Sequence, residues 1–526
     1  MESRQTQTLQ ARRMKRGFLH GLVALVAASA SVPALAQKAT EPVSKDALFD
    51  LKDDPPAIAE KGGASPLPDS KEALFGDDLP PARPEPAAGR PSPAVSVGEP
   101  SPPAVDRAAL DEPTDAGLKR ESGGAATPSR LRGFAQFETA RTYAGPAHWS
   151  KALGRLELGS QGKTGEGVQW KVSGRVNFNA IYDLDNFYQH AVRDDQRAEF
   201  QIRETYVDFS RGDWDWRLGR QNIVWGELVG MFLADVVSAK DLREFILPDF
   251  NVLRIPQWAA RAEYFRDDFH AEVVWIPFPS YDLIGEPADF TRPGSGADFY
   301  PYPPVPGVPA FLKERTPDTG FSRGNFGVRL SQLKNGWDVS GFYYTSMNTS
   351  ASYYPVAPGT YEPRHDRIWQ LGGSLAKDMG PAVLKAEAVY TRGRRFNQTT
   401  DGNLVKQPML DWAVGVDMNP DSDTRLNAQF FQSRMFDYDA DILPDRAENG
   451  VSLLVSRALP NKWRGEILLM RSLNRDDWSA RPKAIWSFQP NWKLTLGLDV
   501  FGGPPTGFFG QYDAQDRIYA ELRHDF

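Results

Sequence analysis

The sequence predicts an all-β protein, a transmembrane antiparallel β-barrel of about 18 strands preceded by a disordered Pro-rich leader. Three observations carry this prediction. From Leu131 to Phe526, segments of about ten residues alternate apolar and polar side chains, the period-two signature of a strand with one greasy and one wet face. The links between those segments sort by parity, with short turns after even-numbered segments and mostly long ones after odd-numbered segments. Aromatic residues make up 12% of the chain, with 14 Trp and 17 Tyr, as expected where rings line both membrane interfaces.

The order of elements begins with an export signal. Arg12, Arg13, Lys15 and Arg16 precede an apolar run from Phe18 to Ala30, and Ala34-Leu35-Ala36 offers small residues at a cleavage position before Gln37. Residues 1–36 therefore read as a secretory signal peptide. The run is too short to span a bilayer as a helix, and Gln37 supplies no thiol for a lipid anchor. Its removal takes five basic residues and one acidic residue, so the net charge moves from −7 to −11. A chain this acidic lacks the basic footprint that phosphate backbones require, which argues against nucleic acid as a partner.

Residues 37–130 are rich in Pro, Ala, Asp, Glu, Ser and Gly, with Phe49 and Phe75 as the only aromatics. Such a segment cannot bury enough apolar area to offset its ordering entropy, so it reads as a disordered periplasmic linker. Ser44-Lys45-Asp46-Ala47-Leu48-Phe49 recurs as Ser70-Lys71-Glu72-Ala73-Leu74-Phe75. The copies are either duplicated linker or a docking motif in which Leu48, Phe49, Leu74 and Phe75 meet a periplasmic partner. As a flexible coil the linker would reach on the order of 50 Å.

The barrel proper spans 131–526. Its clearest strand runs from Val168 to Ala180, where Val168, Trp170, Val172, Val176 and Phe178 share one face and Gln169, Lys171, Ser173, Arg175 and Asn177 the other. Strand centres fall near 135, 156, 174, 204, 217, 261, 273, 328, 342, 370, 387, 413, 429, 454, 468, 485, 497 and 521. Lys334-Asn335-Gly336 and Gln489-Pro490-Asn491 exemplify the tight turns; 226–256, 278–322, 348–362 and 392–407 are the long links. A soluble sandwich has no reason to sort loops this way. The last strand, Arg517 to Phe526, sets Ile518, Ala520, Leu522 and Phe526 against Arg517, Tyr519, Glu521, Arg523 and Asp525. A terminal aromatic on the lipid side is similar to the signal read by the outer-membrane assembly machinery, the other expected partner besides membrane lipid; His524 is expected at the periplasmic interface.

The pair Gly219-Arg220-Gln221 and Trp225-Gly226-Glu227, with Asp235 and Asp241-Leu242-Arg243 downstream and the closing strand, resembles a proteobacterial outer-membrane barrel family catalogued as domain of unknown function 1302. The resemblance implies the porin-like fold and the location, the cell outer membrane of a Gram-negative bacterium, and supplies no substrate. The strand and turn ahead of Gly219 are also similar to many porins.

A barrel of this strand number encloses an aqueous bore that something must narrow. The segment 227–256 is too long for a hairpin turn and mixes apolar with charged residues, so it is expected to fold into the lumen. The lumen and constriction residues expected are Arg217, Gln221, Glu227, Asp235, Asp241, Arg243, Glu244, Asp249, Arg254, Arg261 and Glu263. On strict alternation Arg217, Gly219, Gln221, Arg261 and Glu263 face inward and Arg220 faces lipid, which predicts a bulge or a rim position at Arg220. Inward charges of both signs, among them Arg155, Glu157, Arg175, Glu204, Asp208, Glu272, Arg329, Lys385 and Glu387, argue against a pore for one sign of ion only.

Catalysis finds little support. There is no Cys, the six His are scattered without metal-ligand spacing, and no phosphate-binding loop of the Gly-Lys-Ser/Thr type is present. No cofactor is expected and the chain does not read as an enzyme. The expectation is an outer-membrane channel for facilitated diffusion of a small solute. The alternative is the outer-membrane station of a lipid or polymer export system, recruited through the linker.

Overall fold

The computed structural model describes residues 131–526 apart from 166, 229, 288–295, 319 and 321–322. The signal peptide and the linker, including Leu48, Phe49, Leu74 and Phe75, lie outside the described residues.

The alternating segments form one sheet of 18 strands. In chain order these are β1 (Leu131–Thr142), β2 (Trp149–Thr164), β3 (Val168–Asn179), β4 (Ala198–Arg211), β5 (Trp214–Gln221), β6 (Gln257–Arg266), β7 (Phe269–Phe278), β8 (Asn325–Lys334) and β9 (Trp337–Met347). They continue as β10 (Arg367–Asp378), β11 (Ala382–Arg392), β12 (Met409–Asp421), β13 (Thr424–Met435), β14 (Ala447–Leu459), β15 (Trp463–Ser472), β16 (Trp478–Gln489), β17 (Trp492–Gly502) and β18 (Arg517–Asp525). Three short helices, α1 (Ile181–Leu184), α2 (His190–Gln196) and α3 (Phe250–Leu253), sit in the long links.

Each strand pairs antiparallel with the next, and β18 returns to β1 with Thr142 opposite Arg517 and Phe134 opposite Asp525. The sheet is thus a closed cylinder without edges, the only β architecture that satisfies its backbone in hydrocarbon. Its outer face carries Phe137, Val172, Val176, Leu218, Leu371, Leu496 and Ile518, all exposed, while the intervening Glu138, Ser173, Arg175, Ser374, Arg517 and Arg523 are buried. Apolar out and polar in is the inverse of a soluble core, and it places the barrel in an outer membrane.

Rings mark the two interfaces. Beside the short turns, Trp214 meets Tyr264 at 5.3 Å and Trp463 stacks on Trp486 at 5.3 Å. Beside the long links, Trp369 lies 6.4 Å from Tyr343 and 5.6 Å from Tyr390. His524 stacks on Trp492 at 4.4 Å next to the turn at 490–491, so its polar tip is at the short-turn rim, as expected.

The pairing register shifts at several places, and one of them bears on the lumen. The β3–β4 register shifts between Val172 and Gly174, and the extra residue turns Arg203 and Glu204 inward together. Ser173 fills the irregularity: its Oγ accepts the Glu204 N–H at 2.9 Å and donates to the Glu204 carbonyl at 3.2 Å. The bulge expected at Arg220 is therefore one strand earlier. Arg220 itself is paired with Thr205 and Trp258, one residue from the end of β5, a rim position where an outward cation is tolerated. At Gly219, φ is +133° and a Cβ would fall 2.3 Å from the Thr205 carbonyl, so only glycine permits this approach of β5 to β4 just before the chain leaves the wall.

Candidate functional site

The wall strands β5 and β6 are joined by residues 222–256, and these cross the lumen. Gln221, fully buried, ends β5 by donating from Nε2 to the Ala259 carbonyl at 3.2 Å, which ties the departure point to β6. Ile223 and Trp225 then pack on Val274 and Ile276 of β7 and on Phe342 and Tyr344 of β9. The Trp225 indole N–H donates to Glu272 at 3.1 Å, so the ring is anchored at both its apolar and its polar edge. Gly226 lets residues 226–228 approach residues 234–235, since a Cβ there would lie 2.9 Å from the Asp235 nitrogen.

The turn so formed is held by one carboxylate of β11. Glu387 of β11 accepts the Leu228 N–H at 2.9 Å, the Ala234 N–H at 2.8 Å and the Glu227 N–H. The Glu227 side chain in turn accepts from Ser374 of β10 at 2.9 Å and lies 3.5 Å from Arg329 of β8. Several charge-assisted bonds thus converge on a few residues of loop.

On its return the segment is braced internally, with Arg254 on Asp235 at 2.8 Å and a two-residue ladder of 239–240 against 254–255. It then leans on the wall it started from. Arg243 bridges Asp241 and Glu199 of β4 at 2.6 Å each. The carbonyls at the end of α3 accept from wall arginines: Arg203 to Asn251 at 2.7 Å and to Arg254 at 2.9 Å, Arg175 to Val252 at 3.2 Å. Cations at a helix C-terminus meet its partial negative charge. On the third side, Arg481 of β16 donates to the Ile246 and Leu247 carbonyls at 3.1 and 2.5 Å, and Phe245 packs among Phe501, Phe509 and Tyr512.

Glu244 is the electrostatic centre of that contact, paired with Lys151 of β2 and 3.6 Å from Arg517 of β18. Burial works to raise its carboxyl, but Lys151 and Arg517 outweigh this and hold it down at about 2. A depressed folded value means that the stabilisation is complete above the ordinary 4.5 and is lost as pH falls from there through about 2. Glu244→Gln is accordingly expected to unfold at a lower temperature than the parent at pH 6, with most of the gap gone at pH 2.5 in heat-modifiability assays. A gap unchanged at pH 2.5 would contradict the assignment.

The sequence-expected residues are thus brought together in three groups. Glu227 meets the β8–β11 wall; Asp235 and Arg254 pair within the segment while Arg243 with Asp241, and Glu244, lean on β4 and on β2 and β18; Arg261 and Glu263 form a cluster with Glu272. Arg217 pairs with Asp208 at 2.8 Å, away from the crossing segment, and Asp249 is exposed at the start of α3. Residues that the sequence reading left out are Asp499, which pairs with Arg481 and Arg517, and the links 296–300 and 503–516, which also turn inward and supply Asp298, Phe299 and Phe509. Alternation on β17 and β18 could have flagged Asp499; nothing local marks the inward turn of the links.

Glu263, His270 and Glu272 place three ligand atoms within 4.8 Å of one another, although their spacing gave no sign of it. Arg261 donates to both carboxylates at 2.9 Å, and His270 and the Trp225 indole take further lone pairs. The group is internally satisfied and does not fit a cation without displacing Arg261.

A family model described as "Protein of unknown function (DUF1302)" matches residues 157–432. No curated protein matches the chain. Among solved structures, OccAB1 of Acinetobacter baumannii aligns at a TM-score of 0.48 and 10% identity over 76% of this chain and 96% of its own. OmpF of Salmonella typhi aligns at 0.40 and 10% over 76% and 97%. The outer membrane channel DcaP of Acinetobacter baumannii aligns at 0.39 and 10% over 78% and 100%.

Proposed function

The chain belongs to the family described as Protein of unknown function (DUF1302), and on that footing we propose that it is a Gram-negative outer-membrane channel for facilitated diffusion of a small solute, narrowed by residues 227–256. The observation that supports this best is that the segment is gripped at Glu227, Leu228 and Ala234 by Glu387 of β11 and, through Glu244, by Lys151 of β2, nine strands away around the cylinder of 18. A loop held on strands half the circumference apart reduces the bore to the gaps beside it. Charged side chains lining those gaps are satisfied by one another, which suits weak transient contact with a passing solute rather than covalent chemistry. The chain carries Phe526 to the lipid face of its last strand, and we take the assembly machinery to read it there.

Liposome swelling with sugars of increasing size tests the reading. Influx of a pentose with exclusion of a tetrasaccharide is the expected result. Purified barrels that admit no solute and pass no ion current, even after the crossing segment is cut out, would end it.

A further inference from the structure

The link between β7 and β8 reaches across the mouth as the crossing segment reaches across the bore. Leu283 ties its first residues to that segment, accepting the Leu242 N–H at 2.7 Å and donating to the Lys240 carbonyl at 2.9 Å. Farther along, Phe299 packs beside Phe501 and Tyr512, and the Tyr302 N–H donates to Gln511 Oε1 at 2.6 Å. Gln511 belongs to the link between β17 and β18, nine strands from β8 in a cylinder of 18. By Ala310 the chain is back beside its root, where Ala310 and Phe311 pair with Thr360 and Tyr361 of the β9–β10 link.

Both ends of this span are clasped by a histidine from another link. At the far end Asp298 accepts from His148 Nε2 at 3.0 Å and from the Tyr188 hydroxyl at 2.9 Å; at the near end Glu314 accepts from His365 Nε2 at 2.9 Å. The second nitrogen of each ring also faces an acceptor, His148 Nδ1 the Pro146 carbonyl at 2.8 Å and His365 Nδ1 the Asn348 carbonyl at 2.7 Å. A neutral imidazole has one N–H and leaves a lone pair aimed at one of those oxygens, whereas the imidazolium donates to both and pairs with the carboxylate. Thr142 Oγ1, 3.0 Å from His148 Nδ1, is a hydroxyl that accepts as readily as it donates. Both rings are buried, His148 stacked on Phe187 at 3.8 Å and His365 against Tyr281 at 3.9 Å, so water does not replace a lost partner.

Other ionisable groups nearby favour the same state or are engaged elsewhere. Asp185 adds negative charge beside His148; Asp366 is taken by Arg395, and Arg367 donates to the Arg323 and Gly324 carbonyls. Burial works to lower His148, but Asp298, the Pro146 carbonyl and Asp185 outweigh it and hold the ring above its ordinary 6.5. With a raised folded value, what the clasp contributes is complete below 6.5 and is lost as pH rises through that higher value.

We propose that residues 296–316 are an external lid, clasped shut at both ends while His148 and His365 are doubly protonated and released in alkaline medium. What the lid controls rests on the channel reading; the clasps stand on their own geometry.

The chain has no Cys, so a pair of spin labels can be placed without background. Val308→Cys on the lid and Leu473→Cys on the rim, both exposed, are read by double electron–electron resonance in the detergent-solubilised full barrel. The distance distribution should be narrow at pH 6 and about twice as broad at pH 9, and His148→Leu with His365→Leu should be broad at both. A parent distribution equally narrow at both pH values overturns the lid without any variant, so a misfolded double variant leaves the test intact. Planar-bilayer conductance of the parent should rise about twofold over the same interval. A barrel that conducts while its lid stays narrow at pH 9 sinks the lid and spares the channel; a lid that loosens over a barrel that never conducts does the reverse. A lid that loosens with no change in an existing current overturns its control of the mouth.

Discussion

Excision of residues 228–251 should raise single-channel conductance severalfold in planar bilayers, because the removed segment carries Ala234, Asp235, Arg243, Glu244 and Phe245, the groups that span the bore. The wall should survive, since Gln221 and Gln257 are directly paired and the remaining residues suffice to connect them. Solution inside an 18-strand cylinder conducts in proportion to its open section, so even partial clearance is a large effect. Glu387→Ala is the milder form of the same experiment. It removes the shared acceptor of three N–H groups, leaves them unsatisfied at a cost of about 1–3 kcal/mol each if they stay dry, and should give a noisy, intermittently wider channel. A deletion variant that is folded and conducts like the parent would show that the segment does not limit flow.

The largest loss of stability is expected from Asp499→Ala. Asp499 is fully buried and uses one oxygen on Arg481 at 3.0 Å and the other on Arg517 at 2.8 Å. Those arginines are the ones that hold the Ile246 and Leu247 carbonyls and Glu244, so one carboxylate aligns a whole side of the loop contact. Taking away one member of a buried charge network leaves the others uncompensated, a penalty of about 3–5 kcal/mol. The heat-modified form should appear at a clearly lower temperature, and Asp499→Asn should recover part of the loss by keeping the shape. Asp318→Ala serves as the contrast: its pair with Arg323 is mostly exposed on both sides and should contribute almost nothing. Similar melting of both alanine variants would refute the network.

What the amino-acid sequence determines by itself is whatever repeats with a short period. Alternation of side chains is local, so the 18 strands, their short and long links, the lipid-facing Leu218 and Ile518 and the lumen-facing Arg517 and Arg261 could all be read from neighbours two residues apart. Even the inward loop was legible, because a charged and apolar segment of that length needs a wall. What only the tertiary structure decides is who meets whom across the bore: Glu227 with Ser374, Ala234 with Glu387, Glu244 with Lys151 and Arg517. The bulge that turns Arg203 inward beside Glu204 belongs to the same class, since it exists only as a mismatch between two paired strands. The contacts across the bore join residues 93 to 273 positions apart, and their geometry is set by closure of the cylinder, a global condition that no window of the sequence contains.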